Sequence, residues 1–176
     1  VIENGAYCTC PCSCVAGSVQ IGTVNGYIPM ETLTTHDILA TPMSSKQSSA
    51  LEAILASDVA DEKVVGIQFS NGASIVSSPN HTFVSPDERV VEARTLLKGQ
   101  KVKAASGALI EVVADPIEGR YDGRLYNVIV NENSLAPVDH IIDLEGVLSG
   151  DWQLQSSNDL VEEEIFLRTS TVRSFK

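Results

Sequence analysis

Beyond position 14 the sequence contains no cysteine; all four, Cys8, Cys10, Cys12 and Cys14, stand at its start. The body therefore has no disulfide framework, and its core must hold by burial alone. No apolar run approaches the roughly 18 residues of a membrane helix. The opening Val1-Ile2-Glu3-Asn4-Gly5 has neither a basic region nor an apolar signal core, so no membrane segment and no targeting signal are expected, and no compartment is assigned. Cations are scarce, 12 Lys and Arg against 23 Asp and Glu, for a net charge of −11. A nucleic-acid surface needs clustered Lys and Arg, so nucleic acid is not expected as a partner. The acidity reads as a solubility device. Aromatics are sparse, and a chain of 176 residues buries one sizeable core, which predicts one domain with tails.

What the sequence does contain is alternation. Apolar runs punctuated by turn residues dominate, the pattern of strands. Val64-Val65-Gly66-Ile67-Gln68-Phe69, a turn at Asn71-Gly72, and Ser74-Ile75-Val76 read as a hairpin. Arg124-Leu125-Tyr126-Asn127-Val128-Ile129-Val130 is a second clear strand. Leu51-Glu52-Ala53-Ile54-Leu55-Ala56 has a helix-favouring composition.

An internal repeat turns that stretch into a strand. The segment 32–39 echoes 95–102, and 51–56 echoes Ile110-Glu111-Val112-Val113-Ala114, whose β-branched residues favour strand. The strand at 64–69 corresponds to 125–130, and Pro79-Asn80-His81 to Pro137-Val138-Asp139-His140. Two β units, each ending in a histidine, predict two subdomains related by a pseudo-twofold with a site between them. Near the end, Asn158 is placed to cap a short helix over 159–168, acidic at its start and with Arg168 near its close.

Two short stretches carry chemistry. Cys14 opens Cys14-Val15-Ala16-Gly17-Ser18, and Ser78-Pro79-Asn80-His81 sets a hydroxyl three residues before a histidine. A thiol that attacks the carbonyl on its own amino side makes a thioester at Ser13-Cys14. Such a step needs an activated thiol, a proton for the departing nitrogen from a group titrating near neutrality, and donors for the oxyanion. The substrate would be the chain's own upstream polypeptide, with water, a thiol or an amine as the second nucleophile and no cofactor.

At these residues the chain resembles the Hint domain, the self-processing module of inteins, bacterial intein-like domains and Hedgehog proteins. The resemblance rests on Cys14 to Ser18 with Asn25-Gly26, Ile28, Glu31, Leu33 and His36-Asp37-Ile38-Leu39, and on Ser78-Pro79-Asn80-His81-Thr82-Phe83. It spans roughly residues 14–155. It implies an all-β fold of two pseudo-twofold-related subdomains, with residues 1–13 the end of an upstream passenger and 156–176 a C-terminal tail. It also implies an N-to-S acyl shift by Cys14, promoted by Ser78 and His81, with His140 in a supporting place. The family often has an aspartate where this chain has Asn127, and His36 stands where it has glycine. Inteins end in His-Asn, whereas here Gly146-Val147-Leu148-Ser149 runs into Gly150-Asp151-Trp152-Gln153, so cleavage without full splicing is expected. That ending is more similar to Hedgehog, as is Ala53-Ile54-Leu55-Ala56-Ser57-Asp58, where Asp58 would deprotonate an incoming nucleophile.

Other readings accompany these. Asp58 and Asp151 also fit solvated turn acids, His36 a turn residue, and Trp152 a cover over the end of the core. Cys8, Cys10, Cys12 and Cys14 fall on one face of an extended chain and would together suit Zn²⁺ or Cu(I), or else the first three belong to the passenger. A Hint-like domain serving as an inactive interaction or spacer module is a further alternative.

Overall fold

In the computed structural model, residues 13–160 and 163–173 are described, and they form thirteen strands, three single-turn 3₁₀ helices and one α-helix. In chain order the strands are β1 (Val15–Ala16), β2 (Gln20–Thr23), β3 (Gly26–Pro29), β4 (Ile38–Ala40), β5 (Ser48–Gln68), β6 (Ser74–Ser77), β7 (Thr82–Val84) and β8 (Val90–Glu92). They continue with β9 (Lys101–Lys103), β10 (Leu109–Glu111), β11 (Ile117–Val130), β12 (Ile141–Leu144) and β13 (Val147–Gly150), and the helix α1 spans Trp152–Leu160. All pairings are antiparallel, and the main sheet runs β11-β1-β6-β5-β4-β2-β12-β13-β7-β8, with β3 on β2. β9 and β10 pair separately.

Two long strands shape the molecule. β5 and β11 pair from Gly66↔Ile117 to Leu51↔Val130, slipping register between Tyr121 and Gly123. The stretch whose composition favoured helix lies inside β5, as the internal repeat required. Packing decides here: Leu51 and Ile54 are buried in the aliphatic core, and that burial outweighs the small propensity of alanine and glutamate for helix. The hairpin turns at Asn71-Gly72 with Gly72 at φ 89°, a left-handed conformation that glycine adopts without strain.

The repeat is visible in space. The 3₁₀ turns Met30–Thr32 and Ala93–Thr95 are followed at equal spacing by β4 and β9. His81 immediately precedes β7, and His140, in the 3₁₀ turn Pro137–His140, immediately precedes β12.

The C-terminal helix is displaced from its expected span. It begins at Trp152, which is half-buried, because the Asp151 carboxylate caps it by accepting the Leu154 N–H at 3.0 Å. Asn158 is inside the helix. The described residues after it are not helical: Val90 N–H donates to the Ile165 carbonyl and Leu167 N–H to the Glu88 carbonyl, an edge pairing along β8. Ile165, Leu167 and Val172 bury themselves in a second apolar cluster with Val84, Ile141, Leu148 and Leu154. Long-range burial at alternate positions outbids the local charge pattern that suggested a helix.

Candidate functional site

β1 is only two residues long, yet it is wedged between β11 (Val15↔Tyr126, Ala16↔Leu125) and β6 (Val15↔Ser77). That wedge carries the Ser13-Cys14 peptide bond into the interior, where Ser13 is 3 % and Cys14 1 % exposed. A buried peptide must have its polar groups matched, and here each is matched by the residues singled out above.

The turn Ser78-Pro79-Asn80-His81 closes with the His81 N–H donating to the Ser78 carbonyl at 3.1 Å, so both of its ends face β1. Ser78 Oγ accepts the Cys14 N–H at 2.8 Å, and the Ser78 N–H donates to the Cys14 carbonyl at 2.8 Å. His81 Nδ1 lies 3.3 Å from the Ser13 carbonyl oxygen. Its Nε2 meets Ser149 Oγ at 2.7 Å, and that hydroxyl donates to the Thr82 carbonyl at 3.0 Å. Phe83 stands edge-on to the imidazole, ring centroids 5.3 Å apart. Burial pushes the His81 pKa down to about 4, against a weaker upward pull from the Ser13 carbonyl; the ring is neutral at pH 7.

Sequence reasoning passed over Asn127 as a working residue. Its side-chain N–H₂ donates to the Ser13 carbonyl oxygen at 2.5 Å, and its own carbonyl is held by the Val128 N–H at 2.8 Å. Gln155, reaching in from α1, was missed altogether: its Oε1 is 3.3 Å from Asn127 Nδ2, and its Nε2 is 3.3 Å from His81 Nδ1 and donates to the Gly150 carbonyl. The only signal for it was polarity at a position far in sequence from both motifs, since the helix that aims it starts elsewhere than the charge pattern indicated. Gly150 fits tightly between β7 and α1, for a Cβ there would sit 2.5 Å from Thr82 Oγ1 and 3.2 Å from Leu154 Cδ2.

His140 and Asp58 do not touch the junction. His140 is fully buried; its Nδ1 is 3.0 Å from Asp151 Oδ2 and its Nε2 3.0 Å from the Ser134 carbonyl. Asp151, read from the sequence as a solvated turn acid, is fully buried as well and accepts the Val130 N–H at 3.1 Å. Burial, the largest influence on His140, pulls its pKa down, but the hydrogen bond and charge of Asp151 prevail and raise it. Asp58 is an exposed residue of β5 held bidentate by Arg124 at 2.7 and 2.9 Å. That hydrogen-bonded guanidinium lowers its pKa, which makes it a weak base. Cys8, Cys10 and Cys12 lie outside the described residues, and among those described no cluster of His, Cys, Asp and Glu is arranged to hold a metal. No described helix is long and apolar enough to cross a membrane.

No protein-family model matches the chain, nor does any curated protein. Solved structures do match in shape. A bacterial intein-like domain from Clostridium thermocellum is similar at TM-score 0.63 and 17 % identity, covering 80 % of this chain and 98 % of that one. The gp41-1 intein is similar at TM-score 0.61 and 15 % identity, over 79 % and 98 % of the two chains. A DnaB intein from Synechocystis is similar at TM-score 0.58 and 11 % identity, over 79 % and 98 %. The all-β architecture with its short C-terminal helix is thus of the Hint type.

Proposed function

We propose that this Hint-type domain cuts its own backbone at Ser13-Cys14. The observation that carries the reading is the carbonyl oxygen of Ser13: buried, it meets Asn127 Nδ2 at 2.5 Å and His81 Nδ1 at 3.3 Å, while Ser78 holds the nitrogen of the same peptide bond at 2.8 Å. A donor preset at a carbonyl in a dry site, here the Asn127 amide, stabilises the charge that develops on it when a nucleophile attacks.

The Cys14 thiol attacks the Ser13 carbonyl carbon. A C–S bond forms, the C–N bond breaks, and the thiol proton ends on the Cys14 nitrogen, so the step is an isomerisation. His81, neutral at rest because burial holds its pKa near about 4, takes the proton as the thiolate forms. As imidazolium it faces the oxyanion and then gives the proton to the departing nitrogen. Ser78 keeps that nitrogen in place. Water, a thiol or an amine next attacks the thioester carbonyl, the C–S bond breaks, and the Cys14 thiol is restored beside a freed upstream segment. The reaction turns over once.

The end of the domain favours cleavage without splicing. Gly150-Asp151 leads into α1, and Asp151 is spent capping that helix and pairing with His140. Inteins end in a His-Asn pair, and none occurs in residues 151–176.

The test is incubation of the intact chain with dithiothreitol or hydroxylamine, followed by mass spectrometry. A fragment beginning at Cys14 is expected, and none from Cys14→Ala. No such fragment from the unaltered chain, or cleavage that survives Cys14→Ala, overturns the proposal.

A further inference from the structure

Gln155 is 1 % exposed and makes three polar contacts, all with groups of the junction or its immediate surroundings. A carboxamide has two N–H hydrogens and one carbonyl oxygen. One hydrogen goes to the Gly150 carbonyl, which fixes the plane of the group and turns the second hydrogen toward His81 Nδ1 at 3.3 Å. The oxygen faces Asn127 Nδ2 at 3.3 Å. Asn127 in turn has two amide hydrogens, and the Ser13 carbonyl takes the other.

We propose that Gln155 is a positioning residue for the cleavage site: its one carboxamide aims the Asn127 amide at the Ser13 carbonyl and keeps His81 in the Nε2–H form, with Nδ1 free of a proton. The inference rests on the cleavage reading and deepens it. Hydrogen counting supports the tautomer. With the proton on Nε2, His81 donates to Ser149 Oγ, Ser149 donates to the Thr82 carbonyl, and Gln155 donates to Nδ1. Every hydrogen then has an acceptor. With the proton on Nδ1 instead, the Gln155 N–H and the ring N–H oppose one another, and Ser149 must abandon Thr82 to serve Nε2. When Nδ1 gains a proton during the reaction, its acceptor is the Ser13 oxygen at 3.3 Å, where negative charge is developing. The ring thus exchanges a Gln155 contact for a substrate contact.

The surroundings of the ring leave this balance to neutral groups. The ring meets Ser13, Ser149 on β13, Phe83 on β7 and Gln155 on α1, and no charged side chain among the described residues contributes to its titration. The titratable group of the adjoining residue is the Cys14 thiol. A hydrogen bond donated to the neutral ring holds its proton affinity down.

The full chain and its Gln155→Met and Gln155→Glu forms are compared. Thiol-induced release of the fragment beginning at Cys14 is timed against pH, and the His81 ring is followed by NMR with isotope-labelled histidine. Gln155→Met, similar in size but without hydrogen bonds, is expected to slow release about tenfold or more, because misaimed donors lose much of their effect. It also shifts His81 toward the Nδ1–H form and raises its titration midpoint. Gln155→Glu keeps an acceptor for Asn127 and sets a carboxylate at Nδ1, so it raises the midpoint further and moves the rate profile to higher pH. A folded variant of either kind whose His81 ring keeps both its tautomer and its midpoint overturns the proposal, whatever the rates do. Should the unaltered chain release no fragment, the cleavage reading fails by itself, and the ring titration alone still decides the role of Gln155.

Discussion

The two halves of the domain end in the same way, a turn and then a histidine that leads into a strand, yet the two histidines live in opposite electrostatic worlds. His81 is buried among a carbonyl, a hydroxyl, a carboxamide and a phenyl ring, and burial drives its pKa down to about 4. His140 is equally buried, but Asp151 lies 3.0 Å from its Nδ1 and raises its pKa instead. The same residue type at equivalent places in a repeat has its proton affinity lowered in one half and raised in the other. The difference is one carboxylate.

Replacing each histidine separates the two roles. In His81→Ala, cleavage at Ser13-Cys14 should fall by about 10² to 10⁴-fold, the usual worth of a general acid–base group, as read by the amount of Cys14 fragment released by thiol. Asn127→Ala should slow the same release by about 10² to 10³-fold, the cost of one oxyanion donor. His140→Ala strands the buried Asp151 carboxylate without its partner and should cost about 3–5 kcal/mol of stability. In thermal denaturation that is a fall of about 10 °C for a chain of this size.

The pH dependence of stability should divide the same way. His81 binds a proton more weakly folded than unfolded, so its contribution is lost as pH falls from about 6.5 toward about 4, by at most about 3 kcal/mol. The His140–Asp151 pair works in reverse: its stabilisation is present below the unfolded histidine pKa of about 6.5 and disappears as pH rises through the elevated folded value. Denaturant unfolding at a series of pH values should show that His81→Asn removes the acid-side loss alone. A variant at His140 should remove only the alkaline one. The smallest effect belongs to Asp58→Asn, which breaks an exposed pair with Arg124; both melting temperature and release rate should stay close to those of the unaltered chain.

Much of the framework is legible in the internal repeat: the echo of 51–56 in 110–114 overrules the helix-like composition of 51–56, and the match of 64–69 with 125–130 points to the strands β5 and β11. Cys14, Ser78 and His81 can be picked out because their spacing encodes a local turn, and a Pro-Asn turn needs no distant partner to form. Asn127 and Gln155 cannot be found in that manner. Each reaches the junction from a long sequence distance, 114 residues from Ser13 for Asn127 and 74 from His81 for Gln155. The helix α1 escaped for a related reason: its cap, Asp151, looks like any turn acid until the Val130 N–H and His140 surround it.

By itself the sequence determined the strand alternation, the twofold plan and the local turn that sets Ser78 and His81 on one side, since these depend on periodicity and short-range geometry. Only the tertiary structure decided what each histidine is. The proton affinity of a buried ring depends on which groups arrive beside it from other strands, and that is a matter of packing, not of neighbours in the chain.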